Sequence, residues 1–365
     1  MPDSSARTAI VAIGELVVDW VCLEKGAGPL HTGGFWRCLG GNATNVAVGL
    51  RRLGSESRLI AKVGHDIHER YLRRCLEAEG VDLTYLIVDP RYPTAQCYCF
   101  WDRDEDYSYY NWPQPHAADM LSADELKPEM FANTQAMHTT GISLMLEPRR
   151  SAILRAIQMT RDLGVLFSFD ATFPTDRSYE SESDLHAMRS ADILKLNFYE
   201  LAYWLNALYG EQLSSCDLFG PAAASVKEEI SRAAGKIIGE FAPALLAVTL
   251  GQYGCLLATA GGSVFCRALK VPTVAAVGAG DGFIAGLLHI LARKLVQQDS
   301  GDGAPSSGLT AQNLRALTNE QLFACGMFAN AVGALVTTTA GASDGLPTAA
   351  AVDALLSEQM SDIGQ

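Results

Sequence analysis

Short apolar runs alternate with amphipathic stretches along most of the chain. Ile10 to Ile13 is apolar and largely β-branched, as a central parallel strand would be. Asn45 to Leu53 has helical spacing and ends at Gly54, a C-cap residue. Arg58 to Val63 reads as a strand, and Glu69 to Glu79 as a helix closed by Gly80. The step repeats with a helix over Ser151 to Leu163, Gly164, and a strand over Val165 to Asp170. Asp192–Leu196 and Leu245–Leu250 are further short apolar strands, and Asn319 to Thr337 is an apolar helix. Strand–helix alternation of this kind predicts a layered α/β fold with a mostly parallel sheet.

Two segments break the rhythm. Residues 15–37 are long and rich in glycine. Residues 94–113 alternate apolar and polar positions and carry Tyr98, Phe100, Trp101, Tyr107, Tyr109, Tyr110 and Trp112. Both predict antiparallel strands outside the main sheet, forming a small β lid over one end of it or an edge for packing a second copy. Gln297 to Leu309 predicts a surface loop inside one domain spanning residues 1–365, because the helix beyond it is too apolar to stand alone.

The length of 365 residues allows a large core, and a 19% share of charged residues is that of a globular protein. A formal charge of −13 argues against nucleic acid or an anionic membrane as the main partner. The apolar run at Ala9–Ile13 is too short to span a bilayer. Nine cysteines lack a metal-ligand spacing. Cys97 and Cys99 point to one face of a strand, with no second pair in sequence, so buried thiols in a reducing cytoplasm are the expectation.

The candidate chemistry lies in Val277-Gly278-Ala279-Gly280-Asp281-Gly282-Phe283, just ahead of an apolar stretch through Leu291. Small residues let backbone approach an anion, and the first N–H groups of a helix point at it. Asp281 would stand where a phosphoryl group and a hydroxyl meet. The same string also suits an ordinary helix start with an acid in its first turn. Gly40-Gly41-Asn42-Ala43-Thr44-Asn45 would let a polyol lie against backbone, with an amide to donate to and accept from its hydroxyls; a glycine turn with an asparagine N-cap is the plainer alternative.

Four strings in order, Gly40-Gly41 with Asn45 and Ala47, Asn197 with Glu200, Thr249 with Gly251, and Gly278-Ala279-Gly280-Asp281, resemble the ribokinase-like (PfkB) carbohydrate kinase family. The resemblance runs from Ile10 to Pro347 and implies a three-layer α/β/α ribokinase-like fold. It implies an enzyme that transfers the γ-phosphoryl of ATP to a sugar hydroxyl. Asp281 becomes the general base, and the N–H groups of Gly278, Ala279 and Gly280 an anion hole. Asp19, Gly40, Gly41 and Asn45 fall at sugar-binding positions. Asn197, Thr249, Gly251, Gly254 and Asn330 fall at nucleotide positions, with Ala340-Gly341-Ala342 following. Glu200 would help organise Mg²⁺, mostly through water, with first-turn helix capping as the alternative. Asp170 would sit at the carboxyl edge of the sheet. The stretch from Asp102 through Asp119 looks closest to fructokinase-like members, implying a ketohexose such as fructose.

Three departures bear on detail. Ala275, Ala276 and Val277 replace a family Asp-Thr-x, which removes oxygen ligands and weighs against a monovalent cation such as K⁺. Asp170-Ala171-Thr172-Phe173-Pro174 lacks the family's Asn and Arg, a gap Arg177 would have to fill. Asn42-Ala43-Thr44 replaces a proline-containing turn. Ribose, a nucleoside or 2-keto-3-deoxygluconate stand as alternative substrates, and a non-catalytic sugar or nucleotide sensor as the alternative class. No Gly-x-Gly-x-x-Gly follows the first strand, which speaks against a dinucleotide-dependent oxidoreductase.

Overall fold

The computed structural model describes residues 7–24, 26–101, 107–172, 182–215, 217–297 and 308–361. Most of the 297–309 loop, the 102–106 part of the fructokinase-like stretch, and Arg177 lie outside the described residues.

The first half of the chain forms β1 (Ala9–Ile13), β2 (Val17–Cys22), β3 (Phe35–Gly40), α1 (Asn42–Leu53), β4 (Ser57–Ile60), β5 (Lys62–Val63), α2 (Ile67–Ala78), β6 (Ile87–Val88), β7 (Gln96–Trp101), β8 (Tyr107–Trp112) and β9 (Thr134–Thr140). There follow α3 (Arg149–Asp162), β10 (Leu166–Asp170), α4 (Glu182–Ser190), β11 (Ile193–Asn197), α5 (Phe198–Tyr209), α6 (Ala223–Phe241) and β12 (Leu245–Thr249). The chain ends with β13 (Cys255–Thr259), β14 (Gly262–Cys266), α7 (Ala279–Gln297), α8 (Ala311–Arg315), α9 (Asn319–Val336) and α10 (Ala349–Ser361).

The central sheet has eight strands in the order β14-β13-β12-β11-β10-β9-β1-β4. Pairing is parallel from β4 through β12 and antiparallel across β13 and β14. Both faces are covered, which is why its strands are continuously apolar. Val11, Met137, Phe167, Leu194 and Leu246 pack under α3, α4, α5 and α6. Their neighbours in sequence, Ile10, Ala136, Leu166, Ile193 and Leu245, pack under α1, α7, α9 and α10 on the other face. The three-layer α/β/α arrangement is therefore built by a period of two along each strand.

The two irregular segments do form a separate sheet, in the order β3-β2-β7-β8. Its hairpins, β2–β3 and β7–β8, are antiparallel as expected, but β2 and β7 pair in parallel. The chain passes through α1, α2 and the strands between them before returning, so the second hairpin enters in the direction of the first. β3 also extends beyond Arg37, to Gly40.

The strand expected over Arg58–Val63 is two strands. Ile60 pairs with Ile13, where β1 ends, so the main sheet offers no neighbour beyond it. The Ala61 carbonyl accepts from the Ile87 N–H, and β5 pairs with β6 in a two-stranded sheet. α1 begins at Asn42, three residues earlier than its spacing suggested, because Gly41 takes φ 99° as N-cap and its carbonyl accepts from the Asn45 N–H.

Candidate active site

The carboxyl ends of the parallel strands deliver the polar residues. Asp170 ends β10, Asn197 ends β11 and Thr249 ends β12, with Asn197 and Thr249 directly paired. α1 and α7 point their first turns to this edge, where an α/β sheet holds its ligands.

Asp281 lies in the first turn of α7 and is buried. Asn45 donates from Nδ2 to its Oδ2 at 2.8 Å, and Asn42 donates to its Oδ1 at 3.2 Å. Burial pushes Asp281 up to about 7, helped by the negative charge of Asp170 and opposed by the Asn45 and Asn42 hydrogen bonds and by Lys195. A carboxyl group so placed takes up a proton near neutral pH, which suits a base that must accept one and release it. The structural and catalytic readings of the Gly-Ala-Gly-Asp string are thus compatible: the acid occupies a first-turn position, and its carboxylate is held by side chains from another helix. Asn45 Oδ1 is buried and has no partner, leaving an acceptor open for a hydroxyl.

Asp19 stands in the middle of β2. Burial pushes it up to about 7, and the Asp281 charge adds to this, so the two carboxylates share one field. Gly40 and Gly41 have reasons of their own to be glycine. A Cβ at Gly40 would overlap the Asp19 carboxyl group, and one at Gly41 would overlap the Glu15 carbonyl oxygen. Gly40 therefore lets the Asp19 carboxyl group lie against β3, and Gly41 lets the turn into α1 close on Glu15.

Gly278 takes φ 76°, and a Cβ there would lie 2.5 Å from Ala342 Cβ. This contact brings the Ala340–Ala342 segment against the start of α7. Of the three N–H groups expected to form an anion hole, that of Ala279 donates to the Ala276 carbonyl at 3.2 Å, within its own turn. Gly278 and Gly280 hold the remaining first-turn donors of that set.

Lys195 received no role from the sequence. Its Nζ sits 2.9 Å from Asp170 Oδ2, and a Cβ at Gly280 would stand 3.2 Å from that ammonium. Although burial opposes the charged form, Asp170, Glu200 and Asp281 raise Lys195 to about 12. A permanent cation therefore lies against the glycine turn. The available signal was a lysine inside the otherwise apolar run Ile193-Leu194-Lys195-Leu196. Asn42 was also read only as turn chemistry, because its partner lies 239 positions away.

Asn197 and Glu200 form a reciprocal capping box on α5: Asn197 Oδ1 accepts from the Glu200 N–H, and Glu200 Oε2 accepts from the Asn197 N–H. Glu200 Oε1 also accepts from Asn197 Nδ2 at 2.9 Å. Burial raises Glu200 to about 7, with Lys195 opposing and Asp170 adding to the rise. Gly251 and Gly254 take φ 57° and 101° in the turn after β12. A Cβ at Gly254 would overlap the Cys266 carbonyl oxygen. Asn330 is buried on α9 and donates from Nδ2 to the carbonyls of Cys266, at 3.1 Å, and Arg267, at 3.0 Å. Gly254 and Asn330 therefore fasten the same exit from β14, and both amide protons of Asn330 are engaged there.

The donor set fits a hydrated Mg²⁺ better than a bare one. Asp170 accepts from Lys195 and Thr172, and Glu200 from Asn197, so each acid is already hydrogen-bonded. Among the described residues, no group of three carboxylates converges at this edge. An ion that retains its waters and leans on nucleotide phosphates matches this arrangement. Ala275, Ala276 and Val277 bring no side-chain oxygen, and the Val274 and Ala275 N–H groups both donate to the Thr337 carbonyl.

A sheet edge carrying a buried carboxylate, a glycine turn at a helix start and a charged lysine defines a phosphotransferase-type site. The pfkB family carbohydrate kinase model matches residues 7–349, and the chain belongs to that family. The protein is thus a carbohydrate kinase. It is 32% identical to the fructokinase of Klebsiella pneumoniae over 343 residues, covering 93% of this chain and 96% of that one. It is 29% identical to Fructokinase-1 of Zea mays over 356 residues, covering 96% and 98%. The structure of a Vibrio cholerae O395 fructokinase in a fructose, ADP and potassium ion bound form superposes with a TM-score of 0.74 at 27% identity, covering 97% of this chain and 100% of that one. A Xylella fastidiosa fructokinase with bound ATP, 22% identical, has a TM-score of 0.79 over 97% and 99% of the two chains and bears on the fold.

Proposed function

We propose that the protein is an ATP-dependent fructokinase in which Asp281 is the general base. The observation that carries the mechanism is the buried Asp281 carboxylate, gripped by Asn42 and Asn45 in the first turn of α7. The sugar assignment is supported by relatives named fructokinase that align over nearly the whole chain.

A sugar hydroxyl directed by Asp19 and the open Asn45 Oδ1 would approach the γ-phosphorus. As the new O–P bond forms, the hydroxyl proton passes to Asp281 and the bond to the ADP oxygen breaks. The Gly278 and Gly280 N–H groups and the Lys195 ammonium face the charge that develops on the phosphoryl oxygens. Mg²⁺, when bound, neutralises phosphate charge, with Asp170 and Glu200 holding its water shell. Thr249, Gly251, Gly254 and Asn330 shape the nucleotide side. K⁺ is not required in this reading. No helix among the described residues is long and apolar enough to cross a membrane, and the lack of a disulfide among the described cysteines suits a cytoplasmic setting.

The test is ADP release from ATP and Mg²⁺ across fructose, ribose, 2-keto-3-deoxygluconate, adenosine and inosine. Saturable turnover with fructose at the highest kcat/KM is expected. Preference for another member would overturn the sugar assignment, and ATP binding without turnover on any of them would favour the sensor.

A further inference from the structure

Cys97 and Cys99 lack a second cysteine pair in sequence, but the fold supplies further donors. Asp19 in β2 is paired directly with Cys97 of β7 on one side and with Cys38 of β3 on the other. Residues opposite one another in neighbouring strands share a face, and Cys99 lies two positions along the same strand. Four donor side chains from three strands therefore gather on one face of the four-stranded sheet. The Asp19 carboxylate and the Cys97 and Cys99 thiol sulfurs all lie within 4.8 Å of one another, and the two sulfurs are 4.0 Å apart. Cys38, Cys97 and Cys99 pack in one cluster with Val17, Val21, Ala95 and Ala118, and each is nine-tenths or more buried.

This spacing is close to what a tetrahedral metal needs. A Zn–S bond of about 2.3 Å at the tetrahedral angle puts two thiolates about 3.8 Å apart. The alternative of a disulfide between Cys97 and Cys99 fits poorly. Alternate residues of a strand have Cα atoms roughly 6.5 Å apart, near the upper end of the range a disulfide spans. Two thiols that would give up their protons on binding, one carboxylate and a third thiol on the neighbouring strand form a donor set for a borderline-soft divalent cation rather than Mg²⁺ or Ca²⁺.

We propose that Asp19, Cys97 and Cys99 bind one Zn²⁺-class cation, with Cys38 as the adjacent fourth donor. The site shares its carboxylate with the sugar, so metal and sugar exclude one another. The exclusion rests on the assignment of Asp19 to sugar binding; the metal site itself does not. Bound metal withdraws the Asp19 oxygens from hydroxyl recognition and leaves Asp281 in place, so its kinetic mark is on KM for the sugar rather than on kcat.

Cadmium serves as the probe because its thiolate bonds give a near-ultraviolet charge-transfer band that reads binding without turnover. Full-length protein, freed of metal by a chelator, is titrated with Cd²⁺ and, separately, with Zn²⁺ by calorimetry. One equivalent is expected to saturate the band. The double variant Cys97→Ser/Cys99→Ser should lose it, while Cys75→Ser, outside the cluster, retains it. Saturating fructose should weaken the apparent metal affinity at least tenfold, and Zn²⁺ should raise KM for fructose reversibly. A band that persists in the double variant overturns the site. A band indifferent to fructose, in protein shown by calorimetry to bind fructose, overturns the shared carboxylate. Fructose that fails to bind metal-free protein counts against the sugar assignment, and the cadmium band then tests the metal site on its own. Circular dichroism of the double variant checks that it is folded.

Discussion

At the scale of the residue, the deciding feature of the proposed base, Asp281, is that it is buried beside other acids yet would have to carry charge in that role. Its raised value of about 7, against an ordinary 3.8, means that kcat/KM should climb as pH rises through about 7 and level off above it. Asp281→Asn should lower kcat by about a thousandfold, within the range of general-base loss, with KM for ATP nearly unchanged. The same substitution should stabilise the fold. Between the ordinary carboxylate range and about 7 the unfolded chain is ionised and the folded chain is not, so the native Asp281 contributes less stability as pH rises across that window. Removing it should gain about 1–2 kcal/mol at pH 8, read as a higher Tm, and flatten the decline. A variant that lost activity and Tm together would indicate disrupted structure rather than a missing base. Lys195 should behave in the opposite way. Lys195→Met leaves the buried Asp170 without its only described cation partner and Glu200 with one cation fewer, so a loss of about 3–5 kcal/mol is expected on thermal or urea unfolding. Among molecules that remain folded, kcat should fall on the order of a hundredfold.

At the scale of the element, the turns around the sheet edge carry the consequences. Gly254 combines φ 101° with a near collision against the Cys266 carbonyl. Gly254→Ala should cost about 1–3 kcal/mol and raise KM for ATP more than KM for sugar, because the exit of β14 shifts with it. The 274–277 segment leads to a second expectation. Without a side-chain oxygen at Ala275, Ala276 or Val277, replacing Na⁺ by K⁺ in the assay should change kcat by less than about twofold. A larger activation would show that backbone carbonyls suffice as ligands. Much of this level was legible in sequence. Period and glycine punctuation located β1, β4, β10, β11 and β12 of the central sheet and all but the start of α1, since buried parallel strands and capped helices write themselves locally, whereas β9 and the antiparallel β13 and β14 were not read. Pairing partners were not legible in that way. The parallel β2–β7 contact, the division of Arg58–Val63 and the meeting of the Asp19 carboxylate with the Cys97 and Cys99 thiols depend on which distant segment arrives alongside. The same limit applies at the site. Asp281 was visible from its own string, whereas its grip by Asn42 and the placement of Lys195 against Gly280 join positions far apart in the chain.

At the scale of the whole molecule, the proposed mechanism joins the central sheet with its helices, which holds Asp281, to the four-stranded sheet, which holds Asp19. Water at their junction would compete with the sugar for the γ-phosphoryl, so closure of one body on the other is valuable to a kinase. One contact across the junction is easy to read. Trp36 of β3 donates from Nε1 to Asp344 Oδ2 at 2.9 Å, although the indole is 59% exposed. A single hydrogen bond contributes about 0.5–1.5 kcal/mol net, enough to bias a junction without locking it. Trp36→Phe keeps an aromatic ring and removes the donor. If the bond favours the closed arrangement, KM for the sugar should rise about two- to tenfold, and ATP hydrolysis in the absence of sugar should rise relative to phosphorylation. Asp344→Asn retains an acceptor and should show less of both effects. Tryptophan fluorescence supplies an independent reading: sugar binding should change the emission of the native protein, and that change should be smaller in Trp36→Phe. Equal KM and equal hydrolysis in the two variants and the native enzyme would assign this bond to the surface alone, and coupling between the bodies would then fall to the buried bond from Ser343 Oγ to the Leu39 carbonyl, 2.8 Å long, and to the core that Val18 and Leu39 share with α1.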